Sequence, residues 1–129
     1  MGLRHKSVLL ASRDHDTLQG LAQALTLDGY AVTTALNWSE VMLRLHRVPL
    51  SVILYDVMGL DDAERERLAI VRRAHPEISI VLLSSLESSE LSRAVEEGLI
   101  AGYLVKPLRL PSLEECLNRL GAGGRAAGD

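Results

Sequence analysis

Three polar side chains close short apolar runs: Asp56 after VILY, Ser84 after IVLL and Lys106 after YLV. A carboxylate, a hydroxyl and an ammonium gathered on one rim can bind and align a charged group, because fixed charges and donors act most strongly where water is partly excluded. A further run has an odder ending. Residues 8–11, VLLA, pass without a turn into Ser12, Arg13, Asp14, His15 and Asp16, so charges of both signs follow a strand that reads as buried. Asp56 alone has a plainer reading, a carboxylate capping a loop or helix. The company of Ser84 and Lys106 weighs for a site.

For these residues to meet, the apolar runs must be neighbouring strands. Five such runs, 8–11, 30–35, 51–55, 78–83 and 103–105, alternate with longer segments of helical spacing. Three of them are apolar nearly throughout, as parallel strands covered on both faces are. Leu18, Leu21, Ala22 and Leu25 mark a first helix stopped by Gly29. Asn37 and Glu40 form a capping-box pair that opens a second helix carrying Val41, Met42 and Leu45. Asp61 or Asp62 caps a third, with Leu68 and Val71 inward and Pro76 barring its continuation. Ser88 or Ser89 starts a fourth that ends at Gly98, and Pro111 suits the first turn of a fifth. Five such units predict an α/β fold: a five-stranded, doubly wound parallel sheet with right-handed crossovers. Ligands of such sheets gather beyond the strands' carboxyl ends, where Ser12, Asp56, Ser84 and Lys106 would converge.

The chain has 129 residues, 47% apolar and 24% charged, which suits one soluble domain with a single core. One domain over 1–120 is followed by GAGGRAAGD, 121–129, read as a flexible tail or the start of a linker. A formal charge of −3 without a basic stripe argues against direct nucleic-acid binding. No apolar run is long enough to span a membrane, and no separate signal-peptide core precedes the first strand, so a cytoplasmic protein is expected. Cys116 is the one cysteine; beside Leu113, Leu117 and Leu120 it reads as core rather than as a reactive thiol. The four histidines lack ligand spacing, and only His15 lies near the rim. Trp38 and Tyr30 read as packing residues. Enzyme readings lack their motifs: SRDHDTLQG has no Gly-rich dinucleotide turn, no P-loop is present, and the second acid of a dehalogenase-type phosphatase is Met58 here. The chain is therefore not expected to be an enzyme.

The order of these motifs resembles the response-regulator receiver domains of two-component signalling, also called chemotaxis-regulator-like domains, which have a flavodoxin-like fold. The resemblance runs from Val8 to Leu120 and rests on VILYD, VLLSS, GLIAGYLVKP and the spacing from Ser84 to Lys106. It implies that Asp56 is a phosphoacceptor, that Lys106 and Ser84 hold phosphoryl oxygens, and that Tyr103 and Ser84 belong to a switch. It implies a cis peptide at Lys106-Pro107. It implies partners too: a sensor histidine kinase or phosphotransfer protein and an output protein or domain, with a homodimer as a further option. Met58 and Leu86 stand at the two positions that tune loss of the phosphoryl group; both are apolar and cannot orient a water, so slow loss is expected. The family's loop proline is replaced by Gly59-Leu60, which suggests a looser loop.

The departure lies in the metal site. The family places two adjacent acids directly after the first strand, where they hold Mg²⁺ with the phosphoacceptor and a backbone carbonyl, here that of Met58. Ser12 and Arg13 occupy those two positions, and only Asp14 is acidic. A hydroxyl and a cation remove attraction for a hard cation, so weak or absent Mg²⁺ is expected. Three arrangements are open. Asp14 could reach inward, Arg13 could pair with Asp56, or Arg13 could face solvent while Asp14 caps the first helix. The second is favoured, since a guanidinium fork matches a carboxylate; it implies poor labelling by phosphodonors, restored by Arg13→Asp with Ser12→Asp. The alternative function is a degenerate receiver that docks or dimerises without phosphorylation.

Overall fold

A computed structural model describes residues 7–85 and 87–126. Strands and helices alternate strictly: β1 Ser7–Ala11, α1 His15–Leu27, β2 Ala31–Ala35, α2 Trp38–Arg47, β3 Val52–Val57, α3 Asp62–Ala74, β4 Ser79–Ser84, α4 Ser89–Glu96, β5 Gly102–Val105 and α5 Leu110–Ala126. All five strands are parallel, in the order β2-β1-β3-β4-β5. The chain moves outward from β1 to β2, then crosses back to β3. The direction of winding thus reverses between β1 and β3, and a crevice opens beyond their carboxyl ends.

Strand alternation sorts the core into two layers. Val8, Leu10, Val52, Leu54, Val81 and Leu83 pack on one face against Leu18 and Leu25 of α1 and Leu113, Cys116 and Leu117 of α5. Leu9, Ile53, Tyr55, Ile80 and Leu82 face the other way, against Val41 and Leu45 of α2, Leu68 and Val71 of α3 and Leu91 of α4. Cys116 is buried, and burial pushes its thiol pKa up. Where two capping residues were possible, Asp61 and Ser88 do the capping, each accepting an amide of the first turn. Gly29 and Gly98 follow α1 and α4 with φ of +97° and +80°, a left-handed conformation that costs glycine little.

Two boundaries differ from expectation. Asp56 and Ser84 lie inside the last turns of pleat of β3 and β4 rather than after them, because the ladder continues through the pairs Asp56↔Leu83 and Val57↔Ser84. Helix α5 runs to Ala126, so the part of the expected flexible tail at 121–126 is helical. No proline stops it after Leu120, and an anchored helix gains a hydrogen bond with each added residue. Residues 127–129 lie outside the described residues.

Candidate functional site

Asp56 stands near the carboxyl end of the central strand β3, on the same alternation as Val52 and Leu54. Its side chain is only 12% exposed, and both carboxylate oxygens are engaged: Lys106 Nζ lies 2.7 Å from Oδ1, and Ser12 Oγ donates to Oδ2 at 2.7 Å. Ser12 follows β1 on the alternation of Val8 and Leu10, which is why a neighbouring parallel strand aims it at Asp56. Its hydroxyl also accepts the Asp14 amide at 3.0 Å, and the residue is 5% exposed. Lys106 follows β5 and donates its amide to the Ser84 carbonyl at 2.7 Å. Ser84 is itself buried at the end of β4. The Lys106-Pro107 peptide is cis. Ser12, Asp56 and Lys106 open onto a cleft of about 1100 Å³ whose walls include Arg13, Asp14, Trp38, Met58, Ser85 and Arg67.

The favoured position of Arg13 is corrected. Among the described residues no ion pair joins Arg13 to Asp56; the arginine is exposed on the cleft wall. The alternation that turns Ser12 inward turns its neighbour outward, and both Asp56 oxygens already have partners. Poor labelling through an Arg13 block loses its basis. Asp14 does not reach inward either. It is the N-cap of α1: Oδ1 accepts the Asp16 amide at 3.1 Å and the Thr17 amide at 3.4 Å, and Oδ2 accepts the Thr17 hydroxyl at 2.8 Å. These bonds, the Thr17 hydroxyl foremost, hold its carboxyl below the usual range.

The donor set therefore does not fit Mg²⁺. A hard cation needs several free oxygens in an octahedron, whereas Asp56 is committed to Ser12 and Lys106, Asp14 to its helix, and a guanidinium shares the wall. Among the described residues no group of three or more Asp, Glu, His or Cys could hold a metal ion.

The far wall carries contacts that the sequence did not suggest. Tyr55 donates its hydroxyl to Glu64 Oε1 at 2.7 Å, its ring centroid lies 5.4 Å from that of Trp38, and the Arg67 guanidinium sits 5.9 Å above the Trp38 ring. This cluster joins α2, β3 and α3 beside the cleft. A tyrosine before Asp56 and a glutamate in the first turn of α3 were visible, but their meeting depends on the crossover. Burial first, then Glu64, push the Tyr55 phenol up to about 12. The protonated form is thus favoured by folding, and its contribution is intact below pH 10 and lost as pH rises through 12. Tyr55→Phe should cost about 1 kcal/mol at neutral pH. It should also flatten the loss of stability between those pH values, as urea unfolding measured across that range would show.

The loop after β3 is anchored despite Gly59, because Leu60 is buried in the core and Asp61 caps α3. Met58 is 94% exposed, and Leu86 lies outside the described residues. Tyr103, on β5, is half-buried; its hydroxyl lies 3.3 Å from Ser92 Oγ of α4 and donates to Glu87 Oε2 at 3.3 Å. His15 opens α1 and is exposed. No helix among the described residues is long and apolar enough to cross a membrane.

No protein-family model matches the chain. It is similar to the transcriptional regulatory protein KdpE of Staphylococcus aureus, with 32% identity over 107 residues, which is 82% of this chain and 46% of KdpE. The chain thus spans about half the length of that relative. It is also similar to the response regulator receiver protein CpdR of Brucella abortus, with 30% identity over 111 residues, covering 84% of this chain and 90% of CpdR. A CheY-like response regulator receiver domain protein from Methanospirillum hungatei superposes with a TM-score of 0.83 at 21% identity, over 95% of this chain and 98% of the other. A response regulator from Thermotoga maritima does so with 0.83 at 22%, over 92% and 98%. These two establish the flavodoxin-like fold alone. The match to CpdR along nearly its whole length goes further: the chain belongs to the response-regulator receiver domains of two-component signalling.

Proposed function

We propose that this receiver domain accepts a phosphoryl group on Asp56 from a cytoplasmic sensor histidine kinase or phosphotransfer protein, and that the surface around Tyr103 relays the change to an output protein or domain. The observation that carries the reading is the Lys106 ammonium 2.7 Å from Asp56 Oδ1 at the carboxyl end of the central strand. An Asp56 oxygen attacks phosphorus. The new P–O bond forms as the donor's bond to phosphorus breaks, and that electron pair leaves with the donor. Lys106 offsets the charge of the incoming oxygens, and Ser84, which closes the adjacent strand, supplies the hydroxyl assigned to one of them in this reading. Tyr103 bridges β5 and α4 through Ser92, so a shift of Ser84 or Lys106 has a path to that face.

The test is intact-mass measurement after incubation with acetyl phosphate. Wild type should gain one phosphoryl group and Asp56→Asn none. Equal labelling of the variant would move the acceptor elsewhere. A wild type that takes no label, from acetyl phosphate or from a kinase, would instead support a docking or dimerising module that works without phosphorylation.

A further inference from the structure

We propose that Arg13 supplies the positive charge that a divalent cation supplies in a metal-dependent receiver, so that Asp56 is phosphorylated without Mg²⁺. The inference rests on the reading of Asp56 as phosphoacceptor. Three observations carry it. The oxygens a metal would need are already bonded, those of Asp56 by Ser12 and Lys106 and those of Asp14 by the first turn of α1. Arg13 lies between Ser12 and Asp14 in the chain, lines the same cleft as Asp56, and is exposed without an ion-pair partner among the described residues. Other arginines near the cleft are engaged, Arg65 with Glu97 and Arg67 with Glu64.

The charges then close without a metal. An acyl phosphate carries close to two negative charges near neutral pH, and Lys106 with Arg13 presents two cations at the cleft. A guanidinium also binds two phosphate oxygens at once in a planar fork, which an ammonium cannot do. Before phosphorylation the Asp56 end of the cleft offers little to a divalent ion, because Arg13 repels it and the carboxylates of Asp56 and Asp14 are occupied. Ser12 has a part as well: its hydroxyl holds Asp56 Oδ2 and so orients the carboxylate, a role that needs no charge. In the transfer from acetyl phosphate, an Asp56 oxygen bonds to phosphorus, the bond between phosphorus and the acetyl oxygen breaks, and acetate leaves with the electron pair. No redox partner is involved.

The experiment compares initial labelling rates of the full chain by acetyl phosphate in excess EDTA and in millimolar Mg²⁺, alongside a Mg²⁺ titration followed by backbone amide shifts. Wild type should label at rates within about twofold in the two conditions, with no saturable shift at Ser12, Asp14 or Asp56. Arg13→Ala should label at least tenfold more slowly in EDTA, in the range expected when one charge-stabilising donor is lost, and Mg²⁺ should not rescue it. Arg13→Lys should recover part of the rate. Arg13 is exposed, so circular dichroism should show both variants folded. A tenfold rise of the wild-type rate with Mg²⁺, saturable Mg²⁺ shifts, or an Arg13→Ala rate equal to wild type in EDTA would each overturn the inference and leave Asp56 as acceptor. No label on wild type in any condition would overturn both.

Discussion

Lys106→Met should slow labelling of Asp56 by a small-molecule phosphodonor by about a hundredfold. Methionine keeps most of the stem's length and apolar surface but removes the ammonium that lies 2.7 Å from Asp56 Oδ1. Two effects oppose each other. Freeing the carboxylate from its ion pair makes it a better nucleophile, but the Lys106 side chain is 28% exposed, and a pair so open to water is worth about 1 kcal/mol or less. Losing a cation that meets the developing charge of the transferring group costs about 3 kcal/mol. The second effect wins. The loop should persist, since the bond from the Lys106 amide to the Ser84 carbonyl does not involve the side chain. Initial rates by intact mass check this, and a rate within about threefold of wild type would remove Lys106 from the chemistry.

Leu54→Ala should be the costliest single truncation in the core, at about 4 kcal/mol. Leu54 is fully buried in β3 and packs with Val8, Leu10, Val81, Leu83 and Leu113. Its strand is hydrogen-bonded on both sides, pairing Leu54 with Leu10 and with Val81. A site framed by two ladders cannot collapse into the space left behind, so the cavity persists and the cost falls in the upper part of the usual range. Since domains of this size are stable by about 5–15 kcal/mol, one truncation removes much of the margin. Urea unfolding gives the difference. Leu27→Ala is the comparison: that side chain is exposed at the end of α1, and the change should stay within about 0.5 kcal/mol. Equal losses at the two positions would contradict this layering of the core.

Much of the fold was legible because each local signal agreed with the next. Apolar runs gave the strands, Asn37 and the pairs Asp61-Asp62 and Ser88-Ser89 the helix starts to within one residue, and Gly29 and Gly98 the ends of α1 and α4. The residues that close β1, β3, β4 and β5 were legible as well, since parallel topology brings those ends together whatever the register. Partners within the site were not. Whether Arg13 or Ser12 meets Asp56 depends on which of two neighbouring side chains the pleat turns toward β3, a matter of one residue of alternation. Counting Val8, Leu10 and Ser12 on one face would have pointed to Ser12. The bond from Tyr55 to Glu64 spans a loop whose path no periodicity encodes. The helical extension to Ala126 was hidden by Gly121, Gly123 and Gly124, poor helix formers that read as a linker.

The most direct test of the account is to locate the phosphoryl group itself. Wild-type protein treated with acetyl phosphate is reduced with borohydride, which converts an aspartyl phosphate to homoserine, and its peptides are sequenced by tandem mass spectrometry. Homoserine should appear at position 56 and at no other aspartate. Homoserine at Asp14, Asp61 or Asp62 with Asp56 unmodified would contradict the account.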